Sequence, residues 1–162
     1  MDRMRESVFA ALGDLSGKSF LDIFSGSGII ALEAASRGAE YIEVVEADPR
    51  KRVILLQNVK ISPVRINCHF MPAELFIKRA TPKRAKRHFD LIFCDPPFTY
   101  KNKWELLKSI AESSLVSPGT LLLLHFPRED SCGKTPENLH LKEIREYGRS
   151  VVNFYEFFEL SN

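Results

Sequence analysis

A chain of 162 residues, 44% hydrophobic and carrying 23 basic and 21 acidic side chains, is sized for one compact domain that buries about two thirds or more of its unfolded surface. No separate substrate domain is expected, and a net charge of +2 excludes a nucleic-acid field spread over the whole molecule, so any basic footprint must be local. Cys68, Cys94 and Cys132 lack metal-ligand spacing and read as reduced thiols, no run reaches the roughly 18 apolar residues of a membrane span, and the N-terminus is charged and helical rather than signal-like; a cytoplasmic protein without membrane contact is expected.

In chain order, DRMRESVFAAL (2–12) places Met4, Val8, Phe9 and Leu12 at helical spacing and predicts an opening helix within 1–15. KSFLDIF (18–24) is a continuous apolar strand, and SGSGIIALEAASRGA (25–39) switches to helical character until Gly38 stops it. YIEVVEA (41–47) is a second strand, DPRKRVILLQNVKI (48–61) a helix with Asp48 at its cap and Pro49 in its first turn, and VRINCHF (64–70) a third strand. AELFIKRA (73–80) gives a short helix, FDLIFCD (89–95) a fourth strand, KWELLKSIAESSL (103–115) a helix with Trp104, Leu106, Leu107 and Ile110 facing the core, and GTLLLLHF (119–126) a fifth strand. Regular βα alternation over 18–126, with apolar and non-alternating strands, argues for a parallel sheet covered on both faces. The rhythm then breaks: LHLKEIREYG and RSVVNFYEFFEL have no helix between them and predict an antiparallel hairpin over 139–160, turning at Gly148.

In LDIFSGSGIIALEA, Gly26, Gly28 and Ala31 satisfy G-x-G-x-x-G/A after a strand and at a helix start, and Glu46 stands twenty residues beyond Gly26. This is a nucleoside-binding fingerprint. The glycines let backbone approach a ligand, and Glu46 at the tip of the second strand can accept hydrogen bonds from ribose hydroxyls; the plain alternative is a tight turn with no ligand. Asp22 bears on which ligand. A dinucleotide would lay its pyrophosphate over this turn, where a carboxylate four residues before Gly26 opposes it. S-adenosylmethionine presents a sulfonium and an ammonium group instead, so Asp22 favours the methyl donor over a nicotinamide cofactor, unless it only caps the loop.

The fourth strand ends LIFCDPPF, so Asp95 projects from the carboxyl edge of the sheet, where open α/β sheets bind ligands. Pro96 and Pro97 fix their own φ, lack N–H groups and restrict the preceding residue, which holds Asp95 and nearby carbonyls in one arrangement. Such an arrangement suits the exocyclic amine of a nucleobase, a poor nucleophile until a carboxylate and a carbonyl accept its two N–H bonds and orient its lone pair. Phe98 would stack on the extruded base. A purely structural turn, with Asp95 as a cap and Phe98 in the core, is the alternative.

FLDIFSGSGIIALEAASRGAEYIEVVEADPR together with FDLIFCDPPF resembles the RsmD-type family of 16S ribosomal RNA guanine-N(2) methyltransferases, class I S-adenosylmethionine-dependent enzymes, and the resemblance runs from DRMRESVFAAL to GRSVVNFYEF. It implies an α/β Rossmann-like fold with a mostly parallel seven-stranded sheet and an antiparallel last strand, helices on both faces, in a single domain over 1–162. It also implies S-adenosylmethionine as cofactor, with its methionine end near Asp22, Gly26 and Gly28, ribose on Glu46 and adenine near Ala73 and Glu74; Phe24, Ser27 and Ala47 complete the expected cofactor set. The base amine would lie on Asp95 and Pro96, with Pro97 and Phe98 completing the catalytic turn. Three departures stand out. Family members usually carry a basic β-hairpin before the opening helix, where this chain begins; they often have Asp where this chain has Pro72; and they tend to have an acid after the fifth strand, where this chain has His125 and Phe126.

KRATPKRAKRH (78–88) holds six Lys or Arg residues and reads equally as a solvated loop or a phosphate-binding patch, while Arg3 and Arg5 become RNA-contact candidates through the resemblance. His69, His125 and His140 lack metal spacing, so no metal is expected. Ser25 and Ser27 have no nucleophile-elbow context, which disfavours a hydrolase. The expected function is methylation of a nucleobase exocyclic amine, guanine N(2) of 16S ribosomal RNA, by a monomer acting on ribosomal RNA, either naked or within a small-subunit particle. The rivals are a DNA adenine-amine methyltransferase using the same clamp and a non-catalytic RNA-binding module that keeps the fold.

Overall fold

A computed structural model describes residues 2–81 and 88–161. Helix α1 (Asp2–Leu12) leads into β1 (Ser19–Ile23), α2 (Ile29–Ser36), β2 (Tyr41–Val45), α3 (Arg52–Val59), β3 (Ile66–His69), α4 (Ala73–Arg79), β4 (Leu91–Cys94), α5 (Lys103–Ala111), β5 (Leu121–Pro127), β6 (Leu139–Tyr147) and β7 (Ser150–Phe157). The strands form one sheet in the order β3-β2-β1-β4-β5-β7-β6. β1 to β5 pair in parallel, and β7 inserts antiparallel between β5 and β6, so it alone is reversed. This is the Rossmann-like arrangement that the resemblance implied. No helix among the described residues is long and apolar enough to cross a membrane.

The apolar strands are buried on both faces because each face has its own helical layer. On one, Met4, Val8 and Phe9 of α1, Ala31, Ala34 and Ala35 of α2 and Leu55 of α3 pack against Phe20, Ile42, Val44 and Phe93. On the other, Ile77 of α4 and Leu107 and Ile110 of α5 pack against Leu21, Ile23, Ile92, Leu122 and Leu124. Edge strand β6 is largely exposed and bulges between Leu141 and Glu143, as an edge does when it must not recruit another strand.

Local chemistry sets the ends of the elements. The Asp48 side chain accepts from the Arg50 amide at 2.9 Å and Pro49 opens a 3₁₀ turn over Pro49–Lys51, so α3 begins at Arg52 as a continuation of the predicted cap. At the far end of the sheet Asp90 accepts from the Ser19 amide at 2.9 Å and its own amide donates to Ser19 Oγ at 2.9 Å, locking the start of β1 to the residue before β4.

One expectation changes, and another lies largely outside the described residues. Trp104 lies half-buried outside both core clusters with the Lys108 Nζ 5.6 Å from its ring centroid, while Lys103 is buried beside it; α5 opens with its register turned one residue from the pattern that put the indole inside. The basic cluster falls largely outside the described residues, and only Lys78, Arg79, Ala80, Thr81 and His88 of it are described.

Gly28 caps α2 in the left-handed region at φ 84°, and a Cβ there would stand 2.7 Å from Leu55 Cδ1. The missing Cβ leaves room for Leu55 of α3 against the start of α2, in addition to any approach to a ligand. Gly28→Val combines a left-handed penalty of about 1–2 kcal/mol with overpacking of about 1–3 kcal/mol, and should lower the melting temperature by about 4–20 °C. Calorimetric melting without ligand reads this directly, and an unchanged transition would refute the packing role.

Candidate functional site

The carboxyl ends of β2, β1, β4 and β5 lie side by side along one edge of the sheet, beginning with the turn that leaves β1. Phe24 sits at φ 64°, the one non-glycine with positive φ among the described residues, a conformation costing about 1–3 kcal/mol that surrounding structure must enforce. Its ring meets Tyr100 edge-on at 5.4 Å. The Ser25 amide donates to the Val45 carbonyl at 3.0 Å, and the Gly28 amide to the Ser25 carbonyl at 2.9 Å. From α3, Asn58 Nδ2 donates to the Ser27 carbonyl at 2.8 Å.

Glu46 takes a larger part than its sequence position suggested. Its Oε1 accepts from the Gly26 amide at 2.7 Å and its Oε2 from the Asp48 amide at 2.8 Å, so one carboxylate ties the glycine turn to the start of α3. Each oxygen keeps a second acceptor site for a ribose hydroxyl. Gly26, at φ 57° with nothing within 4 Å of where a Cβ would project, leaves open space beside that carboxylate. Ala47, next in the chain, is exposed.

Asp22 is 1% exposed, and its Oδ2 has no hydrogen-bond partner among the described residues. Burial, then the Asp95 and Glu46 carboxylates, push its pKa well above the ordinary range, and only the Ala31 amide opposes them. An orphaned carboxylate oxygen among two further acids is an unfavourable arrangement that an incoming cation would relieve. The residues present therefore fit a ligand with a positive centre and a ribose, which is the pattern of S-adenosylmethionine.

Asp95 stands one strand away. Its amide donates to the Ile23 carbonyl at 3.3 Å, continuing the β1–β4 pairing past Cys94. Its Oδ1 lies 2.9 Å from His125 Nδ1. Pro96 is buried and Pro97 exposed, and the Tyr100 amide donates to the Pro97 carbonyl at 2.8 Å, closing the turn. The buried Lys103 holds that closure from below, donating to the Tyr100 carbonyl at 2.8 Å and to Asp130 Oδ2 at 3.1 Å. Phe98 is 75% exposed, which removes the core-packing alternative for it. A cavity of about 470 Å³ lies beside the turn, lined by Asp95, Pro96, Phe98, His125, Tyr147 and Arg149 among others.

The structure thus gathers Asp22, Phe24, Gly26, Ser27, Gly28, Glu46 and Ala47 on one lip and Asp95, Pro96, Pro97 and Phe98 on the next. Ala73 and Glu74 are placed differently. Ala73 is buried in the core, so only its backbone could meet a ligand, and Glu74 Oε1 accepts from the Tyr100 hydroxyl at 2.7 Å. Burial and that contact hold the Tyr100 phenol above its usual pKa. Burial likewise raises the Cys94 thiol, with Asp22 and Asp95 adding to the effect, which makes it an inert structural cysteine. Tyr100, Lys103 and His125 are the residues sequence reasoning missed. For His125 a signal existed, because aligning the ends of strands four and five puts residue 125 beside residue 95.

The sequence model of the family described as conserved hypothetical protein 95 matches residues 1–156. The chain belongs to this family of RsmD-type methyltransferases. Ribosomal RNA small subunit methyltransferase D of Haemophilus influenzae is 28% identical over 161 residues, covering 94% of this chain and 78% of that protein. A solved structure described as a conserved hypothetical protein of Streptococcus pyogenes is 27% identical with a TM-score of 0.84, covering 95% of each chain. SMU.776, solved in complex with SAH, shares the fold at a TM-score of 0.77 and 16% identity, over 95% of this chain and 48% of that one.

The raised pKa of Asp22 has a testable sign. The folded protein holds this proton more tightly than the unfolded chain, so wild type loses stability as pH rises from the ordinary carboxylate range through the raised value. Asp22→Asn has no such proton to lose. Its melting temperature without ligand should rise relative to wild type as pH is raised above the ordinary carboxylate range, and a difference independent of pH would mean that Asp22 is not buried as described.

Proposed function

We propose that this chain is an S-adenosylmethionine-dependent methyltransferase acting on the exocyclic amine of a nucleobase, guanine N(2) of 16S ribosomal RNA, as a single-domain monomer in the cytoplasm. The observation that carries the reading is the adjacency of two acids in opposite settings. Asp22 is sealed, has one oxygen unpaired among the described residues and is suited to a cation, whereas Asp95 is partly open to solvent at a cavity mouth beside an exposed aromatic ring. Family membership and the RNA substrate named for the Haemophilus influenzae relative support rRNA as the target.

When bound, S-adenosylmethionine supplies its methyl group as a sulfonium electrophile. Glu46 would hold the ribose while Asp22 faces the positive end; Phe24, the Gly26–Gly28 backbone and Ala47 would shape the slot, and the Ala73 backbone with Glu74 would border the adenine. Asp95 Oδ2 and the Pro96 carbonyl would accept the two N–H bonds of the target amine. With both hydrogens held in the turn, the nitrogen lone pair is directed away from the ring system. The amine becomes strongly acidic once it gains a fourth substituent, and Asp95 is placed to receive its proton. Phe98 would stack on the base after it leaves its helix or loop.

The test is methyl transfer to bulk RNA followed by mass-spectrometric mapping of the product. A methyl on guanine N(2) of the small-subunit RNA supports the assignment; a methyl on adenine N(6) would retain the clamp and change the base. In single turnover at saturating cofactor, Asp95→Ala should lose about a hundredfold or more in rate with cofactor affinity nearly intact. Phe98→Ala should weaken RNA capture by about 1–3 kcal/mol. A folded Asp95→Ala protein at wild-type rate would leave the Asp-Pro-Pro-Phe turn structural.

A further inference from the structure

We propose that His125 is a positioning residue, fixing the carboxylate of Asp95 so that one oxygen is held and the other is presented to the target amine. This inference rests on the functional reading above. It starts from the register. Phe93 pairs with Leu123 and Cys94 with Leu124 across β4 and β5, so the next step brings Asp95 opposite His125 at the carboxyl edge. The side chains meet there, with Asp95 Oδ1 2.9 Å from His125 Nδ1.

The direction of that bond follows from what each group can do. An ionised carboxylate only accepts hydrogen bonds, so Nδ1 carries the hydrogen. The other ring nitrogen, Nε2, is buried and has no hydrogen-bond partner among the described residues, so the bond to Asp95 is the one that orients the ring. The ring therefore donates through Nδ1 to Asp95. A lysine or arginine at this place would bring a flexible charge to the carboxylate that must attract the amine; a histidine bonded through Nδ1 orients it with a rigid, directional donor.

The ring is itself immobilised. His125 is 9% exposed and lies within β5, paired with Val152 of the reversed strand β7. Asp95, by contrast, belongs to a turn and its side chain is 31% exposed. A carboxylate on a turn would sample several χ angles; a donor fixed in the sheet selects one. His125 is thus the link by which the rigid centre of the fold sets the geometry of a solvent-open acceptor.

Single-turnover methylation at saturating cofactor, on folded variants, decides the matter. His125→Leu fills most of the volume without the donor and should slow methyl transfer about ten- to a hundredfold, the usual scale for removing a group that orients an active-site ligand, with cofactor affinity unchanged. His125→Asn places an amide N–H near the Nδ1 position and should restore the rate to within about threefold. In an Asp95→Ala background, His125→Leu should cause no further loss, because a residue acting only through Asp95 has nothing left to orient. An undiminished rate in His125→Leu, or an additive loss in the double variant, would overturn the proposal. Asp95→Ala alone separates the two readings: if it is slow while His125→Leu is not, only the positioning role fails, and if it is itself at wild-type rate, the amine clamp fails first. Should His125→Leu prove unstable, the rate of His125→Asn still decides, since a tenfold or larger loss there with intact folding excludes a donor role.

Discussion

The carboxyl group of Asp22 is taken out of water at the end of the central strand β1, with one oxygen unpaired among the described residues. Burial and the Asp95 and Glu46 carboxylates all disfavour its ionised form, so it holds its proton until a positive partner arrives. A fold that tolerates this arrangement must compensate elsewhere, and the compensation is visible in the two-sided core that clamps β1 between helical layers. Central position makes the site rigid, and burial makes the unpaired oxygen selective for a cation, since a dry carboxylate gains most from a positive partner when little water competes. The left-handed backbone at Phe24 and the closely seated Gly28 are further local costs at the same turn.

Much of this was legible in the sequence because it is local. The glycine spacing, the Asp48 cap with Pro49, and the buried strands with their helices each depend on residues within a few positions of one another, and they fall in the structure close to where the pattern put them. What escaped is set by register and by contacts between elements distant in sequence. Glu46 was expected to face a ribose, and its two bonds to the Gly26 and Asp48 amides depend on how the end of β2 stands against the turn after β1. Gly28 was read as making room for a ligand, yet its missing Cβ also makes room for Leu55, from another helix. Trp104 was assigned inward by helical spacing, a pattern that does not reveal that the neighbouring Lys103 would be buried to close the loop ending at Tyr100.

The two lips of the site are built on different principles. On the side proposed for the cofactor the acids are held by backbone amides or sealed from solvent, so their geometry does not depend on a bound molecule. On the other side Phe98 projects into solvent and Asp95 is only partly covered, which suits the proposed capture of a base still attached to RNA. Precision there has to be imported. The Asp-Pro-Pro turn limits backbone freedom, Lys103 fixes the loop where it ends, and His125 reaches from the sheet to hold the carboxylate. An open mouth and a defined acceptor are compatible because rigidity comes from beneath the surface rather than from a lid. The one donor in that support drawn from a strand, His125, lies where β4 and β5 run in parallel register, so the geometry of the exposed acid is tied to the pairing of two buried strands.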